Sequence, residues 1–319
     1  MKVACTVAFG DTRLEEAPEP ECGPGDVVCR ILACATCGSD VVEHYVARKL
    51  PRVLGHEPVG EIVAAGPAVR GVAPGDRVAI HHHVPCGACE RCAGGHETLC
   101  ERYRSSGIEP GGFAEFARVP ADLVGELLPL GGLDPVAATV TEPLACALRA
   151  QSRLGLRAGE ALLVVGAGSS GLLNVAAARG RGPVYVREPN AARRALAERW
   201  GAREHRGEPV DAALVCTAAP EAVAAAAEPL RPGGRLCMYA VPEPGAPLAV
   251  DGWTLFSREL RVTASWGAGP ADMRAALVLL QAGGVPVSEL ITARYPLADT
   301  GAALEAQRSG AVLKAVVLP

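Results

Sequence analysis

The chain has 319 residues, 49% hydrophobic and 21% charged, and its length predicts two domains. A formal net charge of −4 leaves no basic footprint for nucleic acid, and no apolar run approaches the ~18 residues that span a bilayer. Arg outnumbers Lys 28 to three, with only two Asn and three Gln, as a GC-rich genome or a thermophilic source would produce.

The N-terminus, MKVACTVAFGDTRLEE, turns acidic before a signal-peptide core could form, so it reads as the first strand of a cytoplasmic protein. Up to residue 145 the chain consists of short β-rich runs, VVCRILACATC and PVGEIVAAG among them, punctuated by turns such as Pro24-Gly25 and Pro74-Gly75. From 146 the pattern changes. Compact apolar strands (ALLVVGAG, PVYVRE, DAALVCTA, GGRLCMYAV) alternate with Ala-rich helices, which predicts a doubly wound parallel sheet over 146–266. Residues 267–319 form a C-terminal return to the first domain. Its two helices are expected near Asp272–Gln281 and Asp299–Ser309, before a closing strand AVLKAVVLP. The fold class is α/β, with a β-rich domain and a nucleotide-binding domain.

Twelve Cys in such a chain argue against disulfides, and their uneven spacing argues for metal. Cys86, Cys89, Cys92 and Cys100 stand at C-x2-C-x2-C-x7-C inside a lobe over 84–104. Four soft thiolates suit a closed, structural zinc site, with an iron–sulfur cluster as the rival reading. His96 lies within the run but is expected to be a solvated loop residue.

A second set of ligand types is dispersed. Cys37-Gly-Ser39-Asp40 follows a strand, Gly55-His56-Glu57 precedes another, and Thr141-Glu142-Pro closes the same domain. Cys, His and Glu suit a catalytic zinc that keeps one position open. Asp40 could orient His56, and Ser39 could handle a substrate hydroxyl proton. His81, His82 and His83 resemble a further metal cluster, but alternation along a strand would split them between two faces.

Gly166-Ala-Gly168-Ser169-Ser170-Gly171 is G-x-G-x-x-G directly after an apolar strand and before a helix, the context in which that spacing binds a dinucleotide. Seventeen residues after Gly171, Glu188 ends the next strand, where an acid binds ribose hydroxyls; this favours NAD, while the nearby Arg187, Arg193 and Arg194 keep NADP open.

CGSD, GHEPVGEIVAAG, the four-Cys lobe, GGFAEFARVP, TEPLACALRA and VVGAGSSGL resemble, in order and spacing, the zinc-dependent medium-chain alcohol dehydrogenases, in particular their polyol and threonine dehydrogenase branch. The resemblance runs the whole length. It implies a GroES-like catalytic domain with a Rossmann domain, two zinc ions per chain, and oxidation of a secondary alcohol (polyol, amino alcohol or cyclitol-like) with hydride transfer to NAD(P). It also implies that Cys37 and His56 ligate catalytic zinc, with Glu142 or a water it holds as third ligand. Cys146, one helical turn on, competes with Glu142, and Glu57 is the acid that can swap onto the metal. Where many members carry a relay histidine this chain has Val42, so His44 is the substitute candidate. A homodimer or homotetramer and a small-molecule substrate are expected. The weaker readings are a zinc-free quinone or enone reductase of the same fold and a zinc-ribbon binding module; neither has use for all of these residues.

Overall fold

The structure, a computed structural model, describes residues 1–319. It divides into two compact units, Met1–Ala145 together with Ala268–Pro319, and Cys146–Gly267. No helix is long and apolar enough to cross a membrane.

The first unit is built on a mixed sheet whose central strand is Val27–Ala35. That strand pairs antiparallel with Glu57–Ala65 and with Phe116–Val119. Glu57–Ala65 covers one edge from end to end, and Phe116–Val119 shares the opposite edge with the closing strand Lys314–Leu318, which has Val316 opposite Ala35 and Val317 opposite Cys34. The apolar run VVCRILACA explains its central place, since every residue except Arg30 and Leu32 is buried. The core gathers Ile31, Ile62, Ile80, Phe113 and Val317 around it. A small sheet of Asp11–Glu16, Lys2–Ala8 and Arg52–Val53 flanks this barrel-like body. The helix Thr300–Ser309 packs on the closing strand and stops at Gly310, whose φ of +72° a side chain would oppose.

The second unit is a six-stranded parallel sheet. Its spatial order is Arg203–Glu204, Val184–Arg187, Leu162–Val165, Val210–Val215, Leu230–Met238, Arg261–Ala264. Leu162–Val165 lies between the second and fourth strands in chain order, so the topology switches direction there, and in open parallel sheets ligands bind at the carboxyl ends of such a switch. All four residues of Leu162–Val165 are buried, as a strand covered on both faces requires.

One local expectation differs. The strand Arg77–Ile80 ends before His81, so the three histidines lie on irregular backbone and no strand alternation separates them. Their rings gather instead: His82 and His83 have centroids 3.8 Å apart, and both His81 and His83 face Tyr103.

Candidate active site and metal centres

Cys37 ends the central strand's extension and caps a one-turn helix, Gly38–Val41. The turn forms because Asp40 reaches back: its Oδ2 accepts from Cys37 N at 3.0 Å, while Ser39 N donates to Cys37 Sγ at 3.5 Å. The other oxygen of Asp40 lies 3.2 Å from His56 Nδ1. One buried carboxylate therefore fixes both the thiolate-bearing turn and the imidazole, and it leaves His56 Nε2 as the free donor. Burial disfavours the imidazolium, but Asp40 and Cys37 outweigh it and hold His56 well above its ordinary range.

Glu57 is 1% exposed, and its partner is Lys314, a residue absent from the expected site. Lys314 Nζ lies 2.6 Å from Glu57 Oε2 and 2.9 Å from Oε1, and it also donates to Thr36 O at 3.0 Å. Burial pushes the Glu57 carboxyl up, Lys314 pulls it down, and Glu142 pushes it up again. A local signal for Lys314 does exist. It is one of only three lysines in an Arg-biased chain, it interrupts an apolar closing strand, and a buried ammonium needs a carboxylate.

The ligand atoms of Cys37, His56 and Glu57 come within 4.8 Å of one another. This fits a single ion, because ligands ~2.0–2.3 Å from zinc lie ~3.3–3.8 Å apart at tetrahedral angles. Glu142, half-buried in the first turn of Thr141–Leu154, is not in that set but stands close enough to act on both Glu57 and Lys314. Ser39 is half-buried beside Cys37, and His44 lies half-buried on the short helix Glu43–Val46, outside the three-ligand set.

The four sulfurs of Cys86, Cys89, Cys92 and Cys100 also lie within 4.8 Å of one another, with 3.5 Å between Cys89 and Cys92 and 3.9 Å between Cys86 and Cys92. Those separations match the ~3.8 Å edge of a zinc–thiolate tetrahedron. Backbone amides already point at sulfur, Cys86 N at Cys100 Sγ and Cys89 N at Cys86 Sγ. Such bonds favour thiolate, and they bring the Cys100 thiol down to about 6.

In the second unit a cavity of about 500 Å³ is lined by Gly166, Gly168, Glu188, Arg193, His205 and Thr217. The glycines serve different ends. Gly166 has φ +94°, and a Cβ on Gly171 would come 1.9 Å from Gly166 O, so those two are demanded by the chain itself. Gly168 has φ −68° and open space before it, so its missing side chain serves whatever fills the cavity. Ser169 and Ser170 begin the helix Ser169–Ala178, whose free amides suit a pyrophosphate. Glu188 is held by Ala167 N (2.6 Å) and Asn190 N (2.9 Å). Arg187, Arg193 and Arg194 also line the cavity; Arg187 donates to Ala225 O and pairs with Glu228 and His205, while Arg194 is tied to Glu188 O and Glu204.

Residues 23–129 match the alcohol dehydrogenase GroES-like domain, and residues 169–282 match the zinc-binding dehydrogenase domain. An L-threonine 3-dehydrogenase of Pyrococcus furiosus is 34% identical over 250 residues, covering 70% of this chain and 71% of that protein. The chain belongs to the zinc-dependent medium-chain alcohol dehydrogenases. A zinc-binding dehydrogenase of Sinorhizobium meliloti bound to NADP superposes with a TM-score of 0.89 at 29% identity, covering 100% of this chain and 99% of that one. The 2R,3R-butanediol dehydrogenase of Bacillus subtilis gives 0.87 at 26% identity, with coverage of 100% and 99%. Membership makes the chain an oxidoreductase that converts a secondary alcohol to a ketone, with zinc and a nicotinamide dinucleotide as cofactors. The zinc-free and zinc-ribbon readings are not favoured.

Proposed function

We propose that Cys37, His56 and Glu57 hold the catalytic zinc, with Glu142 as a neighbouring carboxylate, and that the four cysteines of the lobe hold a structural one. The observation that carries this reading is the convergence of the three ligand atoms, backed by Asp40 behind His56 and Lys314 behind Glu57. Bound zinc supplies a Lewis acid that lowers the pKa of an alcohol hydroxyl toward neutrality. The chain's own groups do the rest. Asp40 keeps His56 in the tautomer that offers Nε2, and Lys314 holds the Glu57 carboxyl in place. Ser39 takes the hydroxyl proton and passes it outward, with His44 on the following short helix as the candidate relay imidazole. A bound nicotinamide would supply the acceptor for the carbinol hydrogen and its bonding electrons, so that the overall change would be alcohol and oxidised cofactor to ketone, reduced cofactor and one proton.

NAD is the favoured cofactor. Glu188, held by two backbone amides in the cavity wall, suits ribose hydroxyls, and this supports NAD; Arg187, Arg193 and Arg194 line the same cavity and suit a 2′-phosphate, so NADP stands as the second reading. The polar substrates in the names of the relatives suggest a polyol, amino alcohol or related secondary alcohol for this chain as well. The strand Arg261–Ala264 is an open edge of the parallel sheet, with exposed Trp253 and Phe256 on the preceding helix, and pairing of that edge with a second copy would give a dimer. Twelve free thiols suit a reducing compartment such as the cytoplasm.

The test is absorbance of the reduced nicotinamide with NAD and NADP separately, over polyols, cyclitols, threonine and simple secondary alcohols, for wild type and Cys37→Ser. Reduction by wild type alone supports the reading; equal rates from both proteins would refute it.

A further inference from the structure

The catalytic cluster is bordered by two cations that form no salt bridge. Lys49 ends the turn Ala47–Lys49, with Nζ 4.1 Å from the centroid of the Tyr45 ring. Arg52 follows on the short strand Arg52–Val53 and is exposed. A Cβ on Gly107 would meet Arg52 Nη2 at 3.6 Å and His82 O at 3.9 Å, which places the guanidinium beside the histidine run. Unlike Arg30, Arg77 and Arg118, each of which lies against a glutamate or aspartate, Lys49 and Arg52 form no salt bridge. Lys49 is exposed as well, and its ammonium feels Asp40 and Cys37 on one side and Arg52 and Arg48 on the other.

Next to these cations and the metal ligands stand the imidazoles of His82 and His83. The His82 ring lies 5.2 Å from that of His56 and 3.8 Å from that of His83, and its Nδ1 is buried with no hydrogen-bond partner. An orphaned polar atom at this position is costly unless a ligand answers it.

We propose that Lys49, Arg52 and His82 form the recognition end of the substrate site, and that the substrate is an alcohol carrying an anionic oxyacid group, carboxylate or phosphate, near the reacting carbinol. This rests on the dehydrogenase reading above. A guanidinium fork and an ammonium match the oxygens of such a group, and the unpartnered His82 Nδ1 offers one further hydrogen bond. The same field opposes an ammonium, so an uncompensated hydroxy acid or polyol phosphate is preferred over the threonine zwitterion. Two of the chain's three lysines, Lys49 and Lys314, lie at this site, although the composition elsewhere replaces Lys with Arg.

The experiment compares kcat/KM within matched pairs on the zinc-loaded enzyme: 3-hydroxybutyrate against butane-2,3-diol, and glycerol 1-phosphate against glycerol, with L-threonine alongside. At least one anionic member should exceed its neutral partner about tenfold or more and should also exceed threonine; which pair responds tells carboxylate from phosphate. Lys49→Gln and Arg52→Gln should each shrink that ratio about tenfold, mainly through KM for the alcohol, and added salt should compress it. Neutral partners preferred, or a ratio indifferent to both variants, would overturn the proposal while leaving the dehydrogenase reading intact. So would variants that raise KM for NAD but not for the alcohol, since the cations would then serve the cofactor's phosphates. If wild type oxidises none of the alcohols, the reading beneath the proposal falls, and the proposal with it.

Discussion

The cysteine lobe gathers four sulfurs from fifteen consecutive residues, whereas the Cys37 cluster is completed by a lysine 257 residues from the glutamate it holds. The lobe is held by its own turn, with amides of Cys86 and Cys89 aimed at neighbouring sulfurs and only Cys100 fully buried. The dispersed cluster is the reverse. Its orienting groups Asp40, Glu57 and Lys314 are all buried, and each acts through an ion pair between separate elements. A local site can form from sequence spacing once metal is present, while a dispersed one inherits its geometry from the whole fold. Disturbing one should therefore affect assembly, and disturbing the other should affect chemistry.

The sharpest division is expected from Cys37→Ser. Removing a ligand from the reacting metal should lower kcat/KM by more than about 10³-fold, several kcal/mol of transition-state stabilisation, with the quartet's zinc still present by elemental analysis. Lys314→Ala comes next. It strands Glu57 in a buried site, and breaking a buried pair costs about 3–5 kcal/mol, read as a lower denaturant midpoint. The double replacement Glu57→Gln with Lys314→Met should recover much of that stability but not turnover. Asp40→Asn keeps the shape yet weakens the hold on His56, so zinc affinity or kcat should fall about 10–100-fold, checked by competition with a chelator. Cys92→Ser should be mildest for chemistry: one zinc per chain is lost and Tm drops, while turnover of the folded fraction changes by less than about fivefold, under ~1 kcal/mol. A Cys92→Ser enzyme as inactive as Cys37→Ser would erase the division between the two sites.

The same contrast explains what could be read without coordinates. Cys86, Cys89, Cys92 and Cys100 announce themselves because ligand spacing is a property of a short chain segment. The glycine run after Leu162–Val165 is legible for the same reason, a strand, a tight turn and a helix in immediate succession. Strand–helix alternation gave the α/β class directly, because a buried parallel strand must be apolar on both faces. A rare lysine in an apolar strand marks Lys314 as needing a carboxylate, but which carboxylate follows only from the antiparallel pairing of Lys314–Leu318 with Val27–Ala35, which no local pattern encodes. The histidine run was misplaced on a strand for a related reason: Val78-Ala-Ile80 continues smoothly into His81 in sequence, and only tertiary packing ends the strand. Choosing between Glu57 and Glu142 likewise needed distances rather than spacing.

The most direct test of the central claim is anomalous diffraction at the zinc edge from crystals of the zinc-loaded protein. Two peaks per chain are predicted, one within the Cys86–Cys100 quartet and one bounded by Cys37 Sγ, His56 Nε2 and the Glu57 carboxylate. A single peak, in the quartet alone, from crystals of an enzyme that still oxidises alcohols would contradict the account.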